Sequence, residues 1–156
     1  RQDINSILSK CNKNTRLIFI ANPNNPTGTM INLNQVQELA MKIPKRALLV
    51  LDGAYAEYVD NYDGGIQLAK KTDNVIMIRT FSKIYGLGGM RVGWGFSSKS
   101  IIEALQRVRG PFNLSVPALA VAEAAINDQD YVEKCKKENN STSFYCSPFI
   151  SLYNSA

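Results

Sequence analysis

Residues 75–86 read VIMIRTFSKIYG, an apolar run that leads into two hydroxyls and a lysine. Short, β-branched runs bounded by turn residues are typical of strands buried on both faces. Lys83 therefore follows the end of a predicted buried strand, with Thr80 and Ser82 just before it and Arg91 eight residues after it. A lysine in this setting suits imine chemistry on a phosphorylated cofactor.

Two further apolar runs, Leu17–Ala21 and Leu48–Leu51, lie upstream of this stretch. Helical patterns separate the three runs, one at Leu33–Ile43 with an apolar face and a shorter one around Ile66–Lys70. Alternation of strand and helix is typical of parallel sheets with right-handed crossovers. We therefore predict an α/β fold with three layers, αβα, and a mostly parallel sheet.

More elements are predicted after the lysine. A short strand is expected at Arg91–Phe96, and the sequence does not fix its direction. Helices are expected at Lys99–Val108, Pro117–Asn127 and Tyr131–Lys137. The polar run Asn139–Ser143 is expected to interrupt the last helix.

Composition excludes several classes of protein. The chain has 156 residues, 45% hydrophobic and 20% charged, which predicts one globular unit. No apolar run is long enough to cross a bilayer and no secretion signal is recognisable, so a cytoplasmic location is expected. The net charge of +5 is spread over small groups, so neither nucleic acid nor a membrane is an expected partner. Three scattered cysteines and no histidine predict reduced thiols and no metal site.

Unusual polar residues follow each of the three parallel strands, at the edge where open α/β sheets bind ligands. The first loop reads NPNNPTG and contains Asn25, the second contains Asp52 and Tyr55, and the third contains Lys83. Taken singly, these residues have ordinary explanations as a rigid turn, a capping carboxylate, a rim aromatic and a surface lysine. Their joint placement, one strand–helix unit apart, favours a shared site.

The combination suits pyridoxal 5'-phosphate, which acts as an electron sink when its ring nitrogen is protonated. Asp52 would favour the protonated ring nitrogen, and Asn25 and Tyr55 would donate hydrogen bonds to the phenolate oxygen. Lys83 would form the Schiff base and then act as general base at the substrate α-carbon. Three residues would hold the phosphate, with charge-assisted bonds from the arginine fork: Thr80, Ser82 and Arg91.

The strings NPNNPTG, DGAY, TFSKIYGLGGMRVGW and RGPFNLS occur in this order and resemble the large domain of fold-type I enzymes of the aspartate-aminotransferase type. The similarity covers about residues 3–138 and is greatest to the members that act on histidinol phosphate. It implies the site roles given above, with Lys83 as the internal aldimine, and a cis peptide at Asn25–Pro26. Gly53 departs from the family, many of whose members have glutamate there, without affecting the roles of Asp52 and Tyr55.

The resemblance also implies an activity: transamination of histidinol phosphate with 2-oxoglutarate, in histidine biosynthesis, by a homodimer. Aminotransferases of other aromatic amino acids and decarboxylases of phosphorylated amino acids share the scaffold and stay open as alternatives. A non-catalytic chain that binds a partner through a sheet edge is the third alternative. Residues 1–138 are expected to form a central part of the pyridoxal-phosphate-binding large domain, and residues 139–156 a tail outside the family pattern.

Overall fold

The chain forms a four-stranded mixed sheet in a computed structural model that describes residues 2–146, with side chains to residue 142. The strand order is β1-β2-β3-β4. The first three strands are parallel, and β4 runs antiparallel to β3. The strands are β1 (Leu17–Ala21), β2 (Leu48–Asp52), β3 (Val75–Thr80) and β4 (Gly93–Phe96). The predicted α/β class and the mostly parallel sheet are therefore confirmed.

Six α-helices surround the sheet in the described part of the chain. They are α1 (Ile4–Lys10), α2 (Leu33–Lys42), α3 (Ile66–Lys71), α4 (Lys99–Val108), α5 (Val116–Asn127) and α6 (Gln129–Cys146). Two short 3₁₀ turns lie at Ala56–Tyr58 and Gly88–Met90. Helix α1 was not predicted from the sequence. Its first turn is capped by the Asp3 carboxylate, which accepts a hydrogen bond from the Asn5 N–H.

The main core lies between one face of the sheet and the helices α1, α2 and α3. Alternate strand residues point to this face, so that Leu49 and Met77 of the central strands are fully buried against Leu39 of α2. A capping box between Asn32 and Gln35 starts α2, because each side chain accepts from the other residue's backbone N–H.

The opposite face of the sheet is less completely covered within the described residues. Leu17 and Phe19 of β1 remain 53% and 66% exposed. Beyond β3, the small residues Ala118 and Ala122 allow α5 to pack against the aromatic side chain that follows the strand, Phe81. This coverage fits a partial domain.

Two boundary predictions were wrong. The strand predicted at Arg91–Phe96 begins only at Gly93, because Arg91 adopts a left-handed conformation (φ 55°) at the end of a 3₁₀ turn. The run Asn139–Ser143 does not interrupt α6, which continues to Cys146. Two of its hydroxyls are accommodated in the helix, since Ser141 and Thr142 both donate to the Glu138 carbonyl, one turn earlier.

The predictions about the cysteines and the C-terminal tail can be compared with the structure only in part. Cys11 and Cys135 are free thiols, whereas the Cys146 side chain and residues 147–156, most of the predicted tail, lie outside the described residues. Among the helices described, none is both long and apolar enough to cross a membrane. The division of the chain at residue 138 stays a prediction.

Candidate active site

The loop after β1 is closed by the side chain of Asn22, which is 1% exposed. Its Nδ2 donates to the Ile31 carbonyl (3.0 Å) and to the Tyr62 hydroxyl (2.9 Å), and its Oδ1 accepts from the Ile31 N–H (3.0 Å). The Asn22 backbone N–H donates to the Asp52 carbonyl at 2.9 Å. One buried amide thus joins the two ends of the loop and holds them at the end of β2.

Both Asn–Pro bonds of this loop, Asn22–Pro23 and Asn25–Pro26, are cis. The second agrees with what the resemblance implied, and the first was not predicted. The loop leaves Asn25 exposed, with its Nδ2 donating to the Tyr55 hydroxyl at 3.2 Å. The first and second loops therefore meet at these two side chains.

The loop after β2 begins with Asp52, the last residue of the strand. Its Oδ1 accepts from the Ala54 N–H at 3.0 Å, which is the capping role considered for a lone strand-end carboxylate. Among the described residues, the other carboxylate oxygen accepts no hydrogen bond. Tyr55 follows at the start of the 3₁₀ turn Ala56–Tyr58 and is half-buried.

Lys83 lies over the ring of Tyr55, with Nζ 5.3 Å from the ring centroid. This separation is within the range of a cation–π contact. Phe81, two residues before Lys83, and Ile84, directly after it, are buried at 6% and 1% exposure, whereas Lys83 itself is exposed. Buried neighbours fix the loop backbone and leave the amine accessible, as a group that reacts with a ligand requires.

The predicted phosphate-binding residues also lie together. The Ser82 N–H donates to the Thr80 hydroxyl oxygen at 3.0 Å, and Nη1 of Arg91 lies 3.4 Å from Oγ of Ser82. Nη1 of Arg91 also donates to the Gly88 carbonyl at 2.8 Å, which orients the guanidinium. Two hydroxyls and one fixed cation are thus grouped beside Lys83, a donor set suited to a phosphate.

The structure brings the seven predicted site residues to one edge of the sheet, and six of them form two contact groups. One group is Asn25, Tyr55 and Lys83; the other is Thr80, Ser82 and Arg91. Asp52 makes no hydrogen bond to either group within the described residues. It is placed by the end of β2, three residues before Tyr55.

A largely buried ion pair between the second loop and β3 was not predicted from the sequence. Arg79 of β3 and Glu57 of the 3₁₀ turn are 9% and 13% exposed, with Nη1 and Oε1 2.9 Å apart. The signal was present, because Arg79 is a charged residue in an otherwise apolar strand. Burial also raises the pKa of two nearby hydroxyls, Tyr62 and Tyr85, which keeps them neutral.

A family model described as aminotransferase class I and II matches residues 1–144. The chain belongs to this family. Histidinol-phosphate aminotransferase of Cereibacter sphaeroides is 59% identical over 137 residues, which are 88% of this chain and 38% of that protein. The protein of the same name from Dinoroseobacter shibae is also 59% identical, with the same coverage. The chain therefore spans a little over a third of the length of these relatives.

Solved structures give the same fold. Histidinol-phosphate aminotransferase from Sinorhizobium meliloti, in complex with pyridoxal-5'-phosphate, matches with a TM-score of 0.79 at 35% identity, covering 87% of this chain and 38% of that one. L-threonine-O-3-phosphate decarboxylase from Porphyromonas gingivalis matches with a TM-score of 0.75 at 22% identity, covering 92% of this chain and 45% of that one. At that identity the second match concerns the fold alone, which different chemistries share.

The family and the Sinorhizobium complex imply pyridoxal phosphate as cofactor. The side chains present here fit that molecule. A primary amine, two hydrogen-bond donors and a carboxylate with one oxygen unused lie at one sheet edge, beside two hydroxyls and a guanidinium. These are the groups that an aldehyde, a phenolate, a pyridine nitrogen and a phosphate would each need.

Proposed function

We propose that the complete gene product is a pyridoxal-phosphate-dependent aminotransferase that acts on histidinol phosphate with 2-oxoglutarate, in histidine biosynthesis. The contact between the Lys83 amine and the Tyr55 ring, with Asn25 bonded to the Tyr55 hydroxyl, supports this most strongly. These two contacts bring together side chains from the loops after β1, β2 and β3, and the proposed reaction would use all three side chains. The names of the relatives at 59% identity support the choice of substrate.

Pyridoxal phosphate supplies an electron sink when it is bound. The chain's own residues would hold it at both ends. Asp52 would face the pyridine nitrogen with the carboxylate oxygen that no described residue uses, and its negative charge would favour the protonated ring. At the other end, the guanidinium of Arg91 would bind the phosphate together with the hydroxyls of Thr80 and Ser82.

Lys83 would have two tasks. Its Nζ would bind the aldehyde covalently and, once substrate has displaced it, would move a proton from the substrate α-carbon to the cofactor carbon that carried the aldehyde. The amine needs limited freedom for both tasks. An exposed side chain on a loop fixed by buried Phe81 and Ile84 provides that freedom. Asn25 and Tyr55 would orient the phenolate oxygen beside it.

The proposal is tested with purified complete gene product and a panel of amino donors: histidinol phosphate, aromatic amino acids and a phosphorylated amino acid. We expect turnover with histidinol phosphate and 2-oxoglutarate, and its loss by at least a thousandfold in Lys83→Ala, because both tasks of the amine disappear. Lys99→Ala, which removes a lysine whose side chain is 89% exposed, is the matched control and should keep full activity. Loss of carbon dioxide without transfer of the amino group would favour the decarboxylase alternative.

We also propose that the protein is a homodimer, as the resemblance implies, and that it is located in the cytoplasm, as expected from the sequence. Sedimentation of the complete gene product measures the first of these. A monomer that retains full turnover would refute the dimer without affecting the proposed reaction. Saturable binding of pyridoxal phosphate by the 156-residue chain alone would argue against the alternative of a non-catalytic chain.

A further inference from the structure

Arg79 and Glu57 form a largely buried ion pair that lies outside the seven residues assigned to the cofactor. The Arg79 guanidinium reaches Glu57 Oε1 at 2.9 Å and donates through Nη2 to the Asp63 carbonyl at 2.9 Å. The pair is incompletely satisfied, since Arg79 Nε and Glu57 Oε2 are buried without a hydrogen-bond partner. Burying charges and leaving such atoms unpaired is costly, and an apolar pair of similar volume is often at least as stable. Stability alone therefore does not explain the pair.

The backbone around the guanidinium is built to admit it. A Cβ at Gly53 would lie 3.0 Å from Arg79 Cδ and 3.1 Å from its Nε. A Cβ at Gly64 would collide with the guanidinium itself, and Gly64 also has a positive φ of 68°. Gly53 directly follows Asp52, so the arginine packs along the backbone that carries the predicted ring-nitrogen partner. Glycine at position 53, the departure from the family noted in the sequence, leaves room for this side chain.

The two charged residues lie on the segments that carry Tyr55 and Lys83. Glu57 is two residues after Tyr55 in the 3₁₀ turn, and Arg79 immediately precedes Thr80 and lies four residues before Lys83. The ion pair therefore connects the 3₁₀ turn after Tyr55 with the end of β3 that leads to Lys83. We infer that Arg79 and Glu57 are positioning residues that hold the Tyr55 ring against the Lys83 amine. This inference rests on the proposed function for its catalytic consequence, although the geometry itself does not depend on it.

The test replaces the ion pair by an apolar pair, Glu57→Met with Arg79→Met, in the complete gene product. If the pair serves positioning, this double variant keeps the thermal stability of the unmodified protein, but its kcat falls about tenfold with little change in KM. A second readout uses the cofactor-free protein and acylation of lysines followed by mass spectrometry. Because the Tyr55 ring lies over one side of the Lys83 amine, release of Lys83 from Tyr55 should raise its labelling rate about two- to fivefold relative to Lys99.

Asp60→Asn is the matched control, because Asp60 lies two residues after the same 3₁₀ turn and pairs with Lys136 at 2.7 Å but is 71% exposed. It should change neither kcat nor Lys83 labelling. A folded double variant with unchanged kcat and unchanged Lys83 labelling would overturn the inference. If the double variant does not fold, Glu57→Gln is measured in the same way below its melting temperature, with the same two outcomes. If the unmodified protein does not bind pyridoxal phosphate, the proposed function fails, while the labelling rate still tests the positioning of Lys83.

Discussion

Asn22→Ala is expected to release the loop that carries Asn25. The substitution removes three hydrogen bonds of 2.9 to 3.0 Å, one to Tyr62 and two to the backbone of Ile31. At about 1 kcal/mol for each bond, the loop loses about 3 kcal/mol. Because Asn22 and Ile31 are only 1% and 2% exposed, water does not replace these bonds without local opening. A loss of this size is roughly a hundredfold or more in the opening equilibrium.

Hydrogen exchange followed by mass spectrometry measures this effect at the Ile31 amide, which donates directly to Asn22 Oδ1. Exchange of the peptide that contains Ile31 should accelerate by roughly a hundredfold or more, while peptides of β3 stay protected. Tyr62→Phe is the matched control, since it removes one of the three bonds and should cost about 1 kcal/mol. The double variant should cost about as much as Asn22→Ala alone, because both changes remove the same bond. An Ile31 amide that exchanges less than tenfold faster in Asn22→Ala, or strict additivity with Tyr62→Phe, would refute the reasoning.

Three further predictions concern stability. Leu39→Ala removes a fully buried side chain from the main core and should lower the free energy of unfolding by about 3 kcal/mol in denaturant titration; a loss below about 1 kcal/mol would contradict the assigned core. Gly64→Ala should lower the melting temperature clearly, because the position has φ 68° and a guanidinium where the Cβ would lie, whereas Gly89→Ala, with open space around it, should have a small effect. Lys136 donates a hydrogen bond to the Asp60 carboxylate, which raises the pKa of the Lys136 ammonium above its ordinary value of 10.5, so the pair stabilises the fold at lower pH and its contribution is lost as the pH rises through the raised pKa. Between pH 8 and pH 11 the melting temperature should therefore fall more in the unmodified protein than in Asp60→Asn, and equal falls would contradict the assigned pair.

Local sequence signals predicted most of the fold because they depend on short-range physics. The apolar runs of the three parallel strands and the apolar face of α2 each depend on residues that are close together in the chain. The direction and the first residue of β4 depend instead on how the chain turns after Lys83. That turn contains a left-handed Arg91, a conformation that the residue type does not favour. The prediction therefore placed the start of the strand too early.

The candidate site was predictable as a set, because parallel strands bring their carboxyl ends to one edge. Its contacts were not. Neither the Asn25 amide on the Tyr55 hydroxyl nor the Lys83 amine over the Tyr55 ring follows from spacing, since both depend on tertiary placement of exposed side chains. The Arg79–Glu57 pair was not predicted because the alternation of apolar residues identifies a strand but does not identify the partner of a charged residue within it.

The central claim is that Lys83 is the covalent anchor of the cofactor. The direct measurement is to mix the complete gene product with pyridoxal phosphate, reduce with borohydride, digest and locate the modified lysine by mass spectrometry. Reduction fixes any imine between the aldehyde and an amine, so stoichiometric modification of Lys83 and its loss in Lys83→Ala is the predicted result. Modification spread over exposed lysines such as Lys99, with Lys83 no more modified than the rest, would contradict the account.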